Sequence, residues 1–525
     1  MLKLYWYTMV NRWRLFWLTR DVARQAQVDG DQKPVIFFNA SARIHGLSLN
    51  AAFQLLAAWG LRLSGIPVVH FVCQAGMSRC VLGTNRDDAS ESLPCAPCVA
   101  QSKRLYRGAD VRWFSFDEST TLVQSLLGLS LDELCNYEHE GVPYGEIVLP
   151  SLRWILRRHH LEDNEANRFL LRQYILSAYR VGQEFAVLLD KVKPSTVVVF
   201  NGIMYPEAMA KRVAEERGIH VITHEVAFQP FSTFFTDGEA TAYPIEIPEE
   251  FELSTEQNTA LDAYLSKRFQ GDFTMAGIRF WPEMRELDEG LIKKIEAHKH
   301  LVPVFTNVIF DTSQVHANTV FPHMFAWLDQ ILETIKGHPE TLFVIRAHPD
   351  EMRPGTQKAA REHVAGWVEK HGVVELPNVV FIGSEEYISS YALIRRAKFV
   401  MVYNSSIGLE ATLLGAPVLC GGKARFTQYP AVFFPQSEKA YKRKAEEFLE
   451  AKEIDVPDEF MHNARRFLYY QNWRTALSFE DFLQAHPRKG FVRLKAFDVQ
   501  QLRAKNSKAV RVIRDGIVND GSFLV

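Results

Sequence analysis

The chain has 525 residues, 47% of them hydrophobic and 23% charged. A chain of that size buries a core without disulfides or a folding metal, which excludes wholesale disorder, a collagen-like repeat and a small disulfide scaffold. Lys and Arg number 60 against 62 Asp and Glu, so no global field draws nucleic acid. Six cysteines are too few for a secreted framework, and no run of about 18 apolar residues is present to span a bilayer.

Residues 1–30 open with MLKLYWYTMVNRWRLFWLTR. Trp6, Val10, Trp13 and Trp17 recur at spacings of four, three and four, with Arg12, Arg14 and Arg20 between them, so an amphipathic helix is expected. The segment lacks an uninterrupted apolar region and a small-residue cleavage site; it is not a secretory signal, and a cytoplasmic location follows as an expectation. Its aromatic stripe fits the protein's own surface, the commoner fate, or an anionic leaflet as a peripheral membrane contact.

Residues 31–243 alternate apolar strands with helices. Strands are expected over 34–40 (PVIFFNA), 66–73 (IPVVHFVC), 196–202 (TVVVFNG) and 219–225 (IHVITHE), with a cysteine-containing insert at 73–100 and a helical insert at 118–193. Residues 244–298 are acidic and weakly patterned and read as an inter-lobe linker. The rhythm repeats over 299–456, with strands LVPVFTNV, TLFVIRAHP, VVFIGSEE, FVMVYNSS and PVLCGG, each but the last followed by a helical stretch. Unbroken apolar strands each followed by a helix predict parallel sheets covered on both faces, hence an α/β chain of two doubly wound, Rossmann-like lobes with extra helices at both termini. Residues 457–487 are expected to be C-terminal crossing helices. Residues 488–525 hold nine Lys and Arg against three acids and read as a solvated basic tail.

Three strand ends of the second lobe carry polar chemistry. The first is YNSSIGLE (403–410), between a strand and a helix. Asn404 stands at the strand end, Ser405 or Ser406 would cap the helix and donate to a phosphate, Gly408 would let the backbone approach, and Glu410 would accept ribose hydroxyls. The plainer reading is serine capping with Glu410 as its reciprocal partner. The second is VIRAHPDE (344–351), where Arg346 and His348 suit a diphosphate or phosphodiester, a protonated His348 can serve a leaving phosphate, and Glu351 closes the motif; its plainer reading is a surface turn. The third, TNVIFD (306–311), contributes Asn307 and Asp311 and is weak alone.

Together, TNVIFD, IRAHPDE and YNSSIGLEATLLGAPVL resemble the C-terminal half of capsular polysaccharide biosynthesis proteins, a family that includes bacterial Kdo transferases of capsule assembly. The His-Pro and Ser-Ser pairs are also similar to bacterial sialyltransferases that use CMP-activated donors. The resemblance covers about 301–429 well and the first lobe only in outline. It implies a GT-B fold with the site in the cleft between lobes, and a glycosyltransferase, inverting, that needs no catalytic metal. It further implies a nucleotide-sugar donor, CMP-sugar favoured, and a glycan or glycolipid acceptor, with capsule-assembly proteins as further partners. By motif, Arg346, His348, Ser405, Ser406, Gly408 and Glu410 would hold the donor nucleotide, with Glu351, Asn404, Asn307 and Asp311 beside them.

Transfer needs a base for the acceptor hydroxyl and stabilisation of the leaving phosphate. Glu225, at the end of IHVITHE, and His45, in the loop after the first strand, are the rival bases, and His348 serves the leaving group. Asn201 and Gly202, at another strand end, fall on the acceptor side. Cys73, Cys80, Cys95 and Cys98 lie close in sequence, and Cys95-Ala-Pro-Cys98 has zinc-ligand spacing, so a structural zinc is weighed against plain reduced thiols. A nucleotide-sugar epimerase, a polyol-phosphate polymerase and a non-catalytic capsule-assembly scaffold are the competing functions.

Overall fold

The segment VIFFN is apolar at every position and all five residues are buried. Successive side chains of a strand point to opposite faces, so Val35 and Phe37 enter one core while Ile36 and Phe38 enter another. Such a strand needs helices on both faces of its sheet, and the first lobe supplies them. Helices Leu49–Leu63 and Lys508–Asn519 cover one face; Tyr144–Leu156, Glu165–Val192 and Tyr205–Glu215 cover the other.

The computed structural model describes residues 2–40, 46–272, 274–275, 278–279, 283–352, 359–488 and 490–525. The first-lobe strands are β1 (Val35–Asn39), β2 (Leu47–Ser48), β3 (Val68–Cys73), β4 (Asp110–Phe114), β5 (Thr196–Phe200), β6 (His220–Val226) and β7 (Ser232–Thr236). A small hairpin, β8 (Thr274–Met275) and β9 (Ile278–Arg279), follows. The second lobe holds β10 (His300–Phe305), β11 (Thr341–Arg346), β12 (Val379–Ile382), β13 (Val400–Val402) and β14 (Val418–Cys420). Last come β15 (Leu477–Ser478), β16 (Leu483–Ala485) and β17 (Phe491–Leu494).

The first sheet has the order β15-β7-β6-β5-β1-β3-β4 and the second β12-β11-β10-β13-β14. In both, the chain winds outward one way from the first strand, then returns to wind the other way. This is the doubly wound pattern, and its crevice lies where the order reverses, between β10 and β13 in the second lobe. That lobe is parallel throughout, as expected. The first lobe differs at both edges. β4 lies parallel beside β3, in a stretch where the sequence reading placed no strand, because its alternating half-exposed residues lack the unbroken apolar signal. β7 and β15 extend the sheet antiparallel beyond β6.

The C-terminal segment, expected as a solvated tail, is folded. β17 pairs with β16 and β2, and helix Lys508–Asn519 buries Ala509, Val510, Ile513 and Ile517 against helix Leu49–Leu63. The two helices approach so closely that a Cβ on Gly60 would lie 2.4 Å from Val510, so glycine is required there by space. Of the charges that suggested a tail, Lys508, Arg511 and Arg514 lie on the amphipathic helix Lys508–Asn519, outside its buried stripe, and the others precede it. Before this, helix Asp458–Tyr469 leaves the second lobe and leads to β15, which joins the first sheet, so the chain crosses back between lobes. Among the described residues no helix is long and apolar enough to cross a membrane.

Polar contacts join the lobes away from the crevice. Glu362 accepts the backbone N–H groups of His159 and His160, and its Oε1 takes the His160 Nδ1 proton at 2.5 Å. His160 Nε2 lies 3.3 Å from His323 Nε2. The His323 Nδ1 accepts the Ala326 N–H, so the neutral rings make a consistent relay in which His323 donates to His160.

Two core histidines give the fold an acid limit. Burial pushes His70 and His224 down to about 3. The unfolded chain therefore binds more protons at each site as the pH falls below about 6.5, and stability present at neutral pH is lost on the way to about 3. The loss is expected to reach about 2 kcal/mol per histidine near pH 5. His224 stacks on Phe235 and its two ring nitrogens have no partner among the described residues. His224→Phe should therefore raise the melting midpoint, and by more near pH 5 than near pH 7. An equal shift at both would show that His224 already protonates in the folded state.

Candidate functional site

The loops that follow the second-lobe strands meet at one end of the sheet. At the switch point, the Asn307 side-chain amide after β10 donates to Asn404 Oδ1 after β13 at 2.7 Å, and Gln314 Nε2 reaches the same oxygen at 3.3 Å. The Asn307 Oδ1 accepts the Val308 N–H at 2.8 Å, which fixes its orientation. The two asparagines hold the two motifs in register.

A cavity of about 150 Å³ opens on them. Its second-lobe wall includes Asn307, Asp311, His348, Asn404, Ser405, Ser406, Lys423 and Arg425, and its opposite wall is Phe228, Thr241 and Ala242. A second cavity, of about 90 Å³, shares His348, Ser405 and Ser406 and continues past Phe305, Arg346, Pro349, Tyr391 and Glu410. His348 and the serine pair thus stand at the junction of an open polar chamber and a more apolar one.

Local structure sets each group. Pro349 starts a single 3-10 turn after β11, and His348 caps it by accepting the Asp350 N–H on Nδ1 at 3.2 Å. In the neutral ring the proton is thereby placed on Nε2. Neither serine caps helix Ile407–Leu413: Ser406 sits at the N-cap without a side-chain bond. Among the described residues both hydroxyls lack a partner, and Ser406 is exposed. Arg346 is buried, donates Nη1 to the Gly383 carbonyl at 2.5 Å and is lowered by burial to about 10, so it stays cationic at neutral pH.

Two cations absent from the sequence reading complete the wall. Lys423 is exposed, and its ammonium makes no hydrogen bond or ion pair among the described residues. Arg425 stacks on Tyr243 and Phe228, with 4.4 and 4.9 Å from its guanidinium carbon to the ring centroids. Both follow β14 in the stretch CGGKARF, whose glycines were read only as a strand end. Gly421 faces the Trp327 ring, where a Cβ would come within 2.3 Å, so glycine is required there by space, and Lys423 two residues on lines the cavity.

In the first lobe, Glu225 near the end of β6 is half-buried and lines neither cavity, but lies within charge range of Asp311 and Arg425 of the chamber wall. Its oxygens accept the Val226 N–H at 2.8 Å, the Asn201 amide at 3.3 Å and, longer, the Asn50 amide at 3.5 Å. Burial raises its pKa, these bonds oppose the rise, and the Asp311 charge adds to it. Asn201 (φ 34°) and Gly202 (φ 79°) take left-handed conformations after β5, which Asn and Gly tolerate. Asn201 also accepts the Ile203 N–H and is buried, so it orients Glu225 and does not line either cavity. His316 bridges the lobes beside the same cavity, 2.8 Å from Thr241 Oγ1 and 3.2 Å from Glu239.

Several expected site residues lie elsewhere. Glu351 turns into the core, accepts the Val364 N–H at 3.1 Å and is raised by burial to about 8, so it is a neutral buried acid away from the cavities. Gly408 packs on Val402 and Phe426, where a Cβ would lie 2.9 Å from each; its role is helix–strand packing. Glu410 lines the second cavity, but its oxygens are held by Arg268 Nη2 at 2.6 Å and Tyr391 OH at 2.5 Å. It therefore neither closes a capping box nor offers a free carboxylate to a ribose. His45 lies outside the described residues.

None of the six cysteines is in a disulfide. Cys73 accepts the Gly76 N–H at 3.2 Å, and burial pushes Cys73 and Cys80 up to about 12. The charges of Cys95 and Cys98 add to the rise at both, so the four cysteines lie near one another, with Cys98 beside one first-lobe core and Cys73 and Cys80 beside the other. Among the described residues no group of three or more His, Cys, Asp or Glu is arranged to hold a metal ion.

Two doubly wound lobes with a polar chamber between them at the strand ends define the chain as a GT-B-type α/β protein. The model of the family described as capsule polysaccharide biosynthesis protein matches residues 279–453, which span the second lobe. The resemblance read from the three motifs falls inside that match. Among solved structures the chain is similar to Thermosulfurimonas dismutans KpsC, β-Kdo 2,4 transferase, at 11% identity and TM-score 0.36, covering 59% of this chain and 87% of that one. It is similar to the UDP-GlcNAc 2-epimerase of Neisseria meningitidis at 13% identity and TM-score 0.27, covering 84% and 99%. Sucrose-phosphate synthase of Thermosynechococcus elongatus gives 10% and 0.28, covering 84% and 96%. No curated protein matches the chain.

Proposed function

We propose that the protein is a glycosyltransferase of capsular or other surface polysaccharide biosynthesis. It moves a sugar from a nucleotide-activated donor, CMP-sugar favoured, to a glycan or glycolipid acceptor, by an inverting reaction without a catalytic metal. The carrying observation is the convergence of His348, Ser405, Ser406, Lys423 and Arg425 on one cleft chamber, in the lobe that matches the capsule family. A nucleotide laid across both cavities would place its base beside Phe305 and Tyr391 and its phosphate against His348 and the serines. Lys423 and Arg425 would stabilise the charge that develops as the sugar leaves, and the His348 Nε2 proton would reach the departing phosphate. Glu225, with its raised pKa, would take the acceptor proton from the facing lobe.

A thermal-shift screen against CMP, CDP, UDP, GDP and dTDP tests this. A ligand at about 100 times its dissociation constant adds roughly 2.7 kcal/mol. CMP is expected to raise the midpoint, and Lys423→Ala to remove most of the rise. A shift with UDP or GDP alone would overturn the donor assignment, and silence with all five would overturn the transferase reading. Nucleotide release only in the presence of acceptor separates transfer from epimerisation, which needs none.

A further inference from the structure

Helix Leu2–Gln25 has two apolar faces and a protein partner for only one. Asn11, Leu15, Leu18 and Val22 follow one helical stripe; the last three are buried in the first-lobe core, and Asn11 accepts the Leu494 N–H at 2.8 Å. The docked placement expected from the sequence is therefore present. It leaves the opposite face in solvent, where Tyr5, Trp6, Met9, Trp13, Phe16 and Trp17 are all exposed, Trp6 by 63% and Trp13 by 64%. Among the described residues these five aromatics are all the large aromatic side chains that are exposed; the remaining exposed hydrophobics are scattered valines and leucines. Scattered aliphatics are ordinary, but five exposed rings on one helix are not.

The charge around this face is mostly positive; the helix's one acid, Asp21, lies a turn beyond Trp17 and pairs with Arg24 at 3.3 Å, and Arg14 turns to the docked side to donate to the Leu494 carbonyl. Residues 2–20 hold Lys3, Arg12, Arg14 and Arg20 and no acid. Neighbouring elements add Arg107, whose guanidinium lies 4.9 Å over the Phe16 ring, and Arg493, 4.2 Å over Tyr7. Arg20 lies 5.4 Å over Trp17. Rings that sit at the headgroup level and guanidiniums that meet lipid phosphates are both satisfied by an anionic bilayer surface. A second copy of the chain fits poorly, because a two-fold contact through this face would bring arginines against arginines.

We infer that the exposed face of helix Leu2–Gln25 is an interfacial membrane-docking surface for anionic phospholipid. The inference is independent of the transfer reaction, and its test needs no substrate. Full-length protein is sedimented with vesicles of phosphatidylcholine containing about 30 mol% phosphatidylglycerol, and with pure phosphatidylcholine. Binding is expected to the anionic vesicles, roughly tenfold weaker or more to the neutral ones, and to fade at about 0.5 M salt. The variant Trp6→Ser/Trp13→Ser/Trp17→Ser should stay in the supernatant with its melting midpoint nearly unchanged, because these side chains are exposed. Arg12→Glu/Arg20→Glu, which leaves every ring in place, should lose the anionic preference. Protein that ignores anionic vesicles, or binding that survives both variants, would overturn the inference. So would a stable dimer in solution that the tryptophan variant dissociates.

Discussion

Glu225→Gln is expected to lower turnover by about 10²- to 10⁴-fold, the range for removing a positioned general base. The carboxylate is half-buried, raised in pKa and held by Asn201, Asn50 and the Val226 N–H, so it is both basic enough and fixed enough to take a proton. In the wild type, turnover should fall as the pH drops through a value above the ordinary carboxylate range, because the protonated acid cannot act as base. The Gln variant should lose that acid limb. Its amide would confront the Asn201 amide, and Asn201 cannot flip without giving up the Ile203 N–H, so a stability cost of about 1 kcal/mol is expected beside the kinetic loss. Turnover within about threefold of wild type would place the base elsewhere.

Arg268→Met is expected to destabilise the second lobe by about 3–5 kcal/mol, measured by denaturant unfolding. The Arg268–Glu410 pair is nearly closed to solvent, with side chains 8% and 5% exposed and 2.6 Å between Nη2 and Oε1. Burial alone would lower the Arg268 pKa; Glu410, Tyr264 and Tyr391 more than reverse it, so the guanidinium remains charged. Removing it leaves a buried carboxylate with the Tyr391 hydroxyl as its remaining side-chain hydrogen bond. The double variant Arg268→Met/Glu410→Leu should recover most of the loss, since an apolar pair of similar volume is often as stable as a buried ion pair. A single variant costing under about 1 kcal/mol would mean that water reaches Glu410 through the adjoining cavity.

The strands of the second lobe were legible because a fully buried parallel strand is apolar on both faces and leaves an unbroken hydrophobic run. β4 and β7 were not, because an edge strand shows mixed exposure, and antiparallel addition beyond β6 leaves no local mark. The C-terminal helix misled for a related reason. Its charges are visible in the sequence, but the partner that buries Val510 and Ile513 lies more than 400 residues away, on helix Leu49–Leu63.

The site divides the same way. The residue types at three strand ends were determined by the sequence alone, since a polar motif after an apolar strand marks the carboxyl edge of a doubly wound sheet whatever the rest of the chain does. Which of those side chains face the chamber was decided only by tertiary structure. Glu410 was drawn into an ion pair by Arg268, which lies 142 residues earlier on helix Thr255–Phe269, and Glu351 was turned into the core by the N–H of Val364. Lys423 and Arg425, in the loop after β14, line the chamber opposite Phe228, Thr241 and Ala242 of the other lobe, a placement that the folded chain alone shows. Chemistry can be read residue by residue, but the direction of a side chain depends on partners distant in sequence, and those partners meet only in the folded chain.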